Sequence, residues 1–433
     1  MDTFDRHESV VRSYCRSWPV VFDTAKGDHI WDVDGNQYLD FFAGAGSLNY
    51  GHNPEPLKEA LVAYLTRDGI THSLDAHTAA KAAFLERLHE VVLEPRGLDH
   101  KVMFPGPTGT NAVEAALKLA RKVTGRDTVV SFTNAFHGMT LGSLAITGNS
   151  MKRQGAGVPL GNATSMPFDG FLGEDQDSIS YFESFIEDGG SGMELPAAVI
   201  LETIQAEGGI NVASADWMRR LADLCQRHGI LLIVDDIQVG CGRTGPFFSF
   251  ESAGITPDII TLSKSLSGYG LPLAITLMRP ELDVWAPGEH NGTFRGHNPA
   301  FVTATAALDH WTSDELTTDV KVKSQTMGDR LTEIADAHPE LSATVKGRGM
   351  IQGLSFDDPS IATRIARRCF DRRLVIETAG PDSEVLKLLP PLTIDEEHLE
   401  DGLEIIAAAT QDVATGNDKG AVPSGSRNTE RNA

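Results

Sequence analysis

Two side chains of opposite charge follow apolar runs in the middle of the chain. Asp235 comes directly after the run GILLIV (residues 229–234), and Lys264 follows ITLS, 29 residues further on. The carboxyl ends of strands in an open α/β sheet form its ligand-binding edge, so both side chains are expected to reach one crevice. An acid and an amine placed in this way are explained either by a buried salt bridge or by a catalytic pair.

A glycine-containing segment supplies a candidate anion site. The stretch GPTGTNAVEAALKLARKVTG begins with Gly106 and Gly109 and is predicted to become a helix by Asn111. The free N–H groups at a helix N-terminus, together with the Thr110 hydroxyl, can bind a phosphate. A threonine at a helix start is also a common cap, so this segment alone does not identify a ligand.

An aromatic side chain completes the set. Phe136, in the segment FHG after the apolar run VVSF, offers a flat ring at the same sheet edge unless it is simply a core residue. Pyridoxal phosphate requires a lysine for a Schiff base, an acid for its pyridine nitrogen, a phosphate site and an aromatic face. The ordered set therefore predicts a pyridoxal phosphate site, and no metal ion is expected.

Alternating strand-like and helix-like patterns over residues 100 to 310 predict the scaffold, an α/β fold with a mostly parallel central sheet. Ser214 is expected to cap a helix that ends at Gly229. A β-hairpin is predicted to turn at Asp34 and Gly35. Strands are expected over 129–132, 199–203, 230–236, 259–263 and 273–278, and later helices over 319–337, 361–373 and 396–410.

Two domains are predicted from the length of 433 residues. Residues 53–311 form the large cofactor-binding domain, and both chain ends, 1–52 and 312–412, form a smaller α+β domain. Residues 413–433 are polar and rich in Gly, Ser and Asn, so they are expected to be a disordered tail.

The composition excludes several classes of partner. Lys and Arg total 37 against 60 Asp and Glu, a net charge of -23 that argues against nucleic-acid binding. No apolar run approaches the ~20 residues of a membrane helix, and the acidic start is not that of a signal peptide. The four cysteines show no C-x-x-C spacing. A soluble, cytoplasmic protein is expected.

The segment LLIVDDIQVGCGRTGPFFSFESAGITPDIITLSKSLSGYGLPLA resembles the signature of the class III (omega) aminotransferases, which are pyridoxal phosphate enzymes of fold type I. The resemblance covers about residues 20 to 410 and includes GTNAVEAALKLAR, AFHG, ILETIQAEGG and GTFRGHNPAF. It implies Lys264 as the Schiff-base lysine and Asp235 as the partner of the ring nitrogen. The other roles it implies are Gln238 beside the ring hydroxyl, Gly109 and Thr110 on the phosphate, Phe136 on the ring, and Glu202 in support of the cofactor site. It also implies that Thr293 binds the phosphate of the neighbouring subunit, and hence at least a homodimer.

Departures from the family pattern concern the substrate. Glu207 resembles the gate residue, which pairs with a cation for an amine substrate and moves aside for glutamate. That cation is usually an arginine, and Lys387 replaces it, keeping the charge without the bidentate fork. Met139 stands where the 4-aminobutyrate enzymes carry an arginine. Arg295 is our candidate for the distal substrate carboxylate, unless it is a structural arginine at the subunit interface.

The phrases FHGMTLGSLAITGN, LSKSLSGYGLPLA and LKLLPPLTI are most similar to the branch of the family that serves ectoine biosynthesis. The resemblance implies transfer of the amino group of L-glutamate to the aldehyde of L-aspartate 4-semialdehyde, giving L-2,4-diaminobutyrate. The alternatives are an omega-aminotransferase for 4-aminobutyrate, ornithine or the diaminobutyrate of another pathway, an aminomutase of the same fold, and a non-enzymatic cofactor-binding protein.

Overall fold

The computed structural model describes residues 2–173 and 176–417. The strands are β1 (Phe22–Lys26), β2 (His29–Asp32), β3 (Gln37–Asp40), β4 (Lys101–Met103), β5 (Val129–Phe132), β6 (Ala163–Met166), β7 (Ala198–Leu201), β8 (Ile204–Gln205), β9 (Asn211–Val212), β10 (Leu231–Asp235), β11 (Ile259–Leu262), β12 (Ile275–Met278), β13 (Thr344–Arg348), β14 (Ile351–Ser355), β15 (Leu374–Val375), β16 (Glu377–Ala379) and β17 (Val385–Leu388). The helices are α1 (Asp2–His7), α2 (Ala43–Gly46), α3 (Glu55–Thr66), α4 (Ala79–Leu88), α5 (Gly109–Thr124), α6 (Leu141–Ala145), α7 (Ser150–Gln154), α8 (Ser178–Glu187), α9 (Ala215–His228), α10 (Asn298–Ala307), α11 (Glu315–Ala337), α12 (Pro359–Asp371) and α13 (Glu396–Ala414).

A seven-stranded sheet forms the centre of the fold, in the order β4-β12-β11-β10-β7-β5-β6. The five strands from β11 to β6 are parallel, which confirms the predicted α/β fold with a mostly parallel sheet. Strand β12 is antiparallel to both of its neighbours. This strand lies within the predicted range 273–278, and it runs antiparallel because the link from β11 holds only a short 3-10 turn and no crossover helix.

The central strands are predictable because they are buried on both faces and lie next to helices whose ends carry capping residues. All five residues of β10 are buried. Helix α9 precedes this strand: the Ser214 hydroxyl accepts a hydrogen bond from the Trp217 N–H, and Gly229 ends the helix at a φ of 58°. Helix α5 begins with a capping box between Thr108 and Asn111, and its apolar face is fully buried. The ends of β10 and the start of α5 are therefore fixed by local sequence.

The two ends of the chain meet in small sheets. The hairpin of β2 and β3 forms as predicted, and β3 pairs with β15 from the C-terminal part. A second sheet has the order β13-β14-β17-β16. These pairings join the segments that we assign to the smaller domain, while its boundaries stay a prediction.

The last helix, α13, continues two residues past the predicted start of the tail, and Val413 is buried in it. The predicted tail beyond residue 417 lies outside the described residues. All four cysteine thiols are free. Across 2–173 and 176–417, the structure contains no helix that is both long and apolar enough to cross a membrane.

Candidate active site

Asp235 is the last residue of β10 and is held by three donors. Its Oδ1 accepts from the Ile237 N–H and the Thr261 hydroxyl, each at 3.2 Å, and its Oδ2 accepts from His137 Nδ1 at 2.7 Å. Both Asp235 and His137 are buried. Sequence reasoning missed His137, although it stands beside Phe136 in the FHG segment; its contact with Asp235 spans 98 residues of chain.

Lys264 lies just past the end of β11, with its Nζ 2.9 Å from the Ala45 carbonyl oxygen. Its φ of 45° puts a non-glycine residue in the left-handed region, a conformation that costs energy and clusters at functional sites. Burial lowers the pKa of the Lys264 ammonium to about 8, although the negative charge of Glu207 opposes this shift. A share of the amine is therefore neutral and nucleophilic near neutral pH.

These two side chains face one cavity of about 190 Å³. A cavity of about 150 Å³ holds a benzene molecule, so this one has room for a substituted six-membered ring. The structure brings seven of the predicted site residues together in its lining: Gly109, Thr110, Phe136, Glu202, Asp235, Gln238 and Lys264.

The floor of the cavity is kept open by glycines. A Cβ on Gly138, whose φ is 127°, would come within 2.6 Å of the Thr110 hydroxyl oxygen. A Cβ on Gly109 would meet the Ile237 side chain at 3.0 Å. Gly109 and Thr110 are the first residues of α5, whose N–H groups and positive dipole end suit a phosphate. The amine, the held carboxylate and the anion site therefore fit pyridoxal phosphate.

Glu202 lines the same cavity as Asp235, and no cation among the described residues forms an ion pair with it. Its Oε2 accepts from the Phe136 N–H at 2.9 Å. Burial, reinforced by repulsion from Asp235, raises the pKa of the Glu202 carboxyl well above its usual range. A carboxyl that keeps its proton in this position can donate a hydrogen bond into the site.

Lys387 is fully buried between two carboxylates. Its Nζ lies 2.8 Å from Glu207 Oε1 and 3.1 Å from Glu377 Oε1. Although burial disfavours its charge, the attraction of the two carboxylates raises the pKa of Lys387. Burial alone would raise the pKa of Glu207 too, but Lys387 and Lys264 outweigh it and lower that pKa to about 2. The predicted gate pair of Glu207 and Lys387 is thus in contact.

Glu377 is a third member of this group that sequence reasoning missed. Burial raises its pKa to about 7, even though Lys387 attracts its charged form. The residues Glu377 and Lys387 stand opposite each other in the antiparallel pair of β16 and β17. An acidic residue in the apolar segment LVIETA, ten residues before Lys387, was the available signal.

A larger cleft of about 870 Å³ opens beside the ring-sized cavity. Phe136 lines both spaces, so the two adjoin at its ring. Lys152 Nζ lies 4.4 Å from the centre of that ring. The cleft is lined by residues from both chain ends and the central region, among them Tyr14, Met139, Glu207, Arg367 and Glu377.

Thr293 and Arg295 are not brought into either cavity of their own chain. Thr293 is exposed, and its carbonyl oxygen accepts from His72 Nε2 at 2.7 Å. Arg295 forms an ion pair with Asp75 and donates to the His290 carbonyl oxygen at 3.2 Å. The cofactor role of Thr293 and the substrate role of Arg295 therefore require a second chain, and both stay predictions.

A lysine and a held carboxylate at the carboxyl edge of a mostly parallel sheet, with an anion site on the neighbouring helix, define a pyridoxal phosphate enzyme of fold type I. The ornithine aminotransferase of Toxoplasma gondii ME49 matches with a TM-score of 0.84 and 26% identity, covering 96% of this chain and 95% of that one. An S-selective transaminase of an Arthrobacter species shares the fold, with a TM-score of 0.85 at 20% identity and coverage of 96% and 98%.

The sequence profile of the class III aminotransferases matches residues 12–410. The chain belongs to this family, and its cofactor is pyridoxal phosphate. The diaminobutyrate–2-oxoglutarate transaminase of Halalkalibacterium halodurans is 60% identical over 406 residues, which cover 94% of this chain and 95% of the relative. The enzyme of the same name from Streptomyces coelicolor is 58% identical over 416 residues, covering 96% and 98%.

Proposed function

We propose that this aminotransferase passes the amino group of L-glutamate to the aldehyde of L-aspartate 4-semialdehyde, giving L-2,4-diaminobutyrate and 2-oxoglutarate. The observation that carries the proposal is the shared name of relatives 58–60% identical over almost the whole chain. The buried pair of Glu207 and Lys387 adds support, because it offers a cation that can be covered for one substrate and uncovered for the other. The reaction would supply the first precursor of the compatible solute ectoine, in the cytoplasm of a cell under osmotic stress.

The residues of the ring-sized cavity would hold the cofactor. Lys264 would attach it covalently, Asp235 would bind its ring nitrogen, and the start of α5 with Thr110 would bind its phosphate. Bound pyridoxal phosphate supplies an electron sink that acidifies the C–H bond next to the substrate nitrogen. His137 orients the Asp235 carboxylate through the 2.7 Å hydrogen bond.

Lys264 would also move the proton. Its amine reaches the edge of the cavity beside Gln238, and its lowered pKa of about 8 leaves enough neutral base to accept a proton from the substrate carbon. Lys264 is only partly exposed, which limits the water that can compete for that proton.

The gate pair of Glu207 and Lys387 would allow one site to accept two kinds of substrate. While Glu207 covers Lys387, the charge of the lysine is neutralised and the aldehyde substrate reacts with no cation beside it. When Glu207 moves aside, Lys387 binds the α-carboxylate of glutamate. Gln238 Nε2, which donates to Glu207 Oε1 at 3.1 Å, stabilises the covered arrangement.

A product analysis tests the proposed reaction. The purified holoenzyme is incubated with L-glutamate and L-aspartate 4-semialdehyde, and the products are identified by mass spectrometry, with Lys264→Ala as the inactive control. We expect 2,4-diaminobutyrate and 2-oxoglutarate in equal amounts. Amination of succinate semialdehyde or glutamate 5-semialdehyde in preference to aspartate 4-semialdehyde would refute the substrate assignment. Turnover of an amino acid without any 2-oxo acid would instead indicate an aminomutase.

We also propose that the enzyme works as a homodimer in which Thr293 reaches the phosphate of the neighbouring subunit. The exposure of the segment around it supports this arrangement, since Thr293 and Phe294 both lie on the surface of the single chain.

A further inference from the structure

The substrate cleft holds one more buried carboxylate than its local cation can neutralise. Lys387 contacts both Glu207, whose side chain is 16% exposed, and Glu377, which is only 6% exposed. The Lys387 Nζ donates a 2.8 Å hydrogen bond to Glu207, whereas its 3.1 Å contact with Glu377 is an ion pair alone, so Lys387 pairs chiefly with Glu207. Glu377 is thus left in need of either a proton or a second cation.

One oxygen of Glu377 is without a donor. Its Oε1 lies 3.1 Å from Lys387 Nζ, close enough for charge attraction, but at an angle that leaves the oxygen without a hydrogen bond. The residue is only 6% exposed, and its remaining exposure is to the cleft that it lines. A buried oxygen of this kind is unusual in a native structure and calls for an explanation, such as a functional role or a bound water or ion.

Glu377 also stands at the far end of a series of contacts that begins at the reacting amine. Lys264 Nζ and Gln238 Nε2 both donate to the Ala45 carbonyl oxygen, at 2.9 Å each. Gln238 then donates to Glu207, and Glu207 contacts Lys387, which contacts Glu377. A group bound by Glu377 would therefore belong to the part of the substrate that does not react.

The proposed substrates carry a group of the required charge there. In 2,4-diaminobutyrate and in aspartate 4-semialdehyde, the α-ammonium stands on the second carbon from the reacting one, whereas 4-aminobutyrate lacks it. We infer that Glu377 binds the α-ammonium of the amino-acid substrate and so selects substrates with this second nitrogen over those without it. The inference rests on the proposed function, since glutamate and 4-aminobutyrate alone would offer no such group.

The competing explanation is that Glu377 serves only as a second counter-ion of Lys387. The two explanations differ for a pair of ligands that share every atom except the α-nitrogen. A counter-ion affects the binding of both ligands alike through Lys387, whereas an ammonium receptor affects only the diamino ligand. The pair 2,4-diaminobutyrate and 4-aminobutyrate meets this condition.

The experiment measures inhibition constants of both ligands against the glutamate-dependent reaction of the holoenzyme. They are determined for the wild type, for Glu377→Gln, and for Asp382→Asn, which neutralises an exposed carboxylate lining the same cleft. A hydrogen bond to a charged group corresponds to about a 10- to 100-fold change in affinity. We expect Glu377→Gln to lose about that much of the preference for 2,4-diaminobutyrate, and Asp382→Asn to keep it.

Equal weakening of both ligands in Glu377→Gln, or an unchanged preference, would overturn the inference. The absorbance of the bound cofactor and the melting temperature report whether the variant folds. If Glu377→Gln does not fold, Glu377→Asp replaces it, and a preference unaffected by this shortening would equally overturn the inference. Production of 2,4-diaminobutyrate by the wild type separates the two levels: without it the proposed function fails, and with it only the role of Glu377 is at stake.

Discussion

Replacing Lys387 with methionine is the most direct test of the electrostatics of the site. The lysine is fully buried between two carboxylates at 2.8 and 3.1 Å. Lys387→Met keeps most of the side-chain volume and removes the charge, so Glu207 loses the stronger of the two cations that hold its pKa low. Removing one partner of a buried ion pair costs about 3–5 kcal/mol.

The cost can also be worked from the proton that replaces the lysine. With Lys387 removed and only the more weakly interacting Lys264 left, Glu207 can stay buried by becoming protonated, and its ordinary pKa is 4.5. Protonating such a group at about pH 7 costs about 3.4 kcal/mol, and at about pH 5 only about 0.7 kcal/mol. In the variant the folded-state pKa of Glu207 lies above its unfolded value, so the folded state binds more protons and its stability falls as pH rises. The loss caused by Lys387→Met should therefore be about 3 kcal/mol near neutral pH and should shrink in acid.

Urea unfolding of the holoenzyme at several pH values measures this difference. Lys346→Met is the matched control, because Lys346 is a half-buried lysine whose Nζ donates to the Asn211 side chain at 2.6 Å rather than to a carboxylate. For Lys387→Met, protonation of Glu207 makes the loss of unfolding free energy change by about 1.4 kcal/mol per pH unit between pH 5 and pH 7. The loss caused by Lys346→Met should show no such change. The double variant Lys387→Met/Glu207→Gln removes both charges and should regain most of the stability. A loss that is independent of pH, or a double variant no more stable than Lys387→Met, would refute the reasoning.

Further predictions concern the cofactor and the chain ends. Lys264→Ala should abolish both the visible absorbance of the bound cofactor and transamination, and an active variant would remove the basis of the whole assignment. Asp235→Asn should retain some cofactor but lower turnover by orders of magnitude, because an amide cannot hold the pyridine proton. Steady-state kinetics measures the effect, and an unchanged rate would mean that Asp235 has only a structural role. Thr293→Ala should weaken cofactor binding by about 1.5–3 kcal/mol. In mixed dimers of Thr293→Ala and Lys264→Ala subunits, one site combines an intact Lys264 with an intact Thr293 and should bind the cofactor with normal affinity. If no site recovers, Thr293 does not act across the subunit interface. His398→Ala should lower the melting temperature near pH 6 more than near pH 8.5, since the hydrogen bond to Asp28 raises the pKa of His398 and its stabilisation is lost as pH rises through that pKa. An equal effect at both pH values would show that the charge of His398 does not contribute.

The centre of the sheet was predictable because its signals are local. Strand β10 is a continuous apolar run that follows a helix with a serine cap and a glycine end, and these features need no knowledge of distant contacts. The edge strands β4 and β6 were missed because they are short, partly exposed and partly polar, so only their pairing with neighbours makes them strands. The direction of β12 depends on how the chain returns from β11, which residue patterns do not encode.

The site residues likewise fall into those that local sequence specifies and those that depend on distant contacts. Seven predicted residues line one cavity because each lies at, or a few residues beyond, the end of an element that its own segment specifies. His137 and Glu377 were missed because their importance lies in their partners: one meets Asp235 across 98 residues, and the other meets Lys387 through the pairing of two strands. For Thr293, the relevant contact is expected on another chain, so no pattern within this one can report it.

The two lysines of the site illustrate how the same type of side chain acquires opposite functions. Lys264 touches a carbonyl oxygen and no carboxylate directly, so burial dominates and its pKa falls to about 8. Lys387 is more completely buried, but its two carboxylate contacts outweigh burial and keep it charged. The first is thereby suited to react and to carry a proton, and the second to bind an anion without ever giving up its own proton. If the gate residue Glu207 leaves Lys387, Glu377 remains beside it, so the lysine stays a cation while one of its two contacts becomes available to a substrate carboxylate.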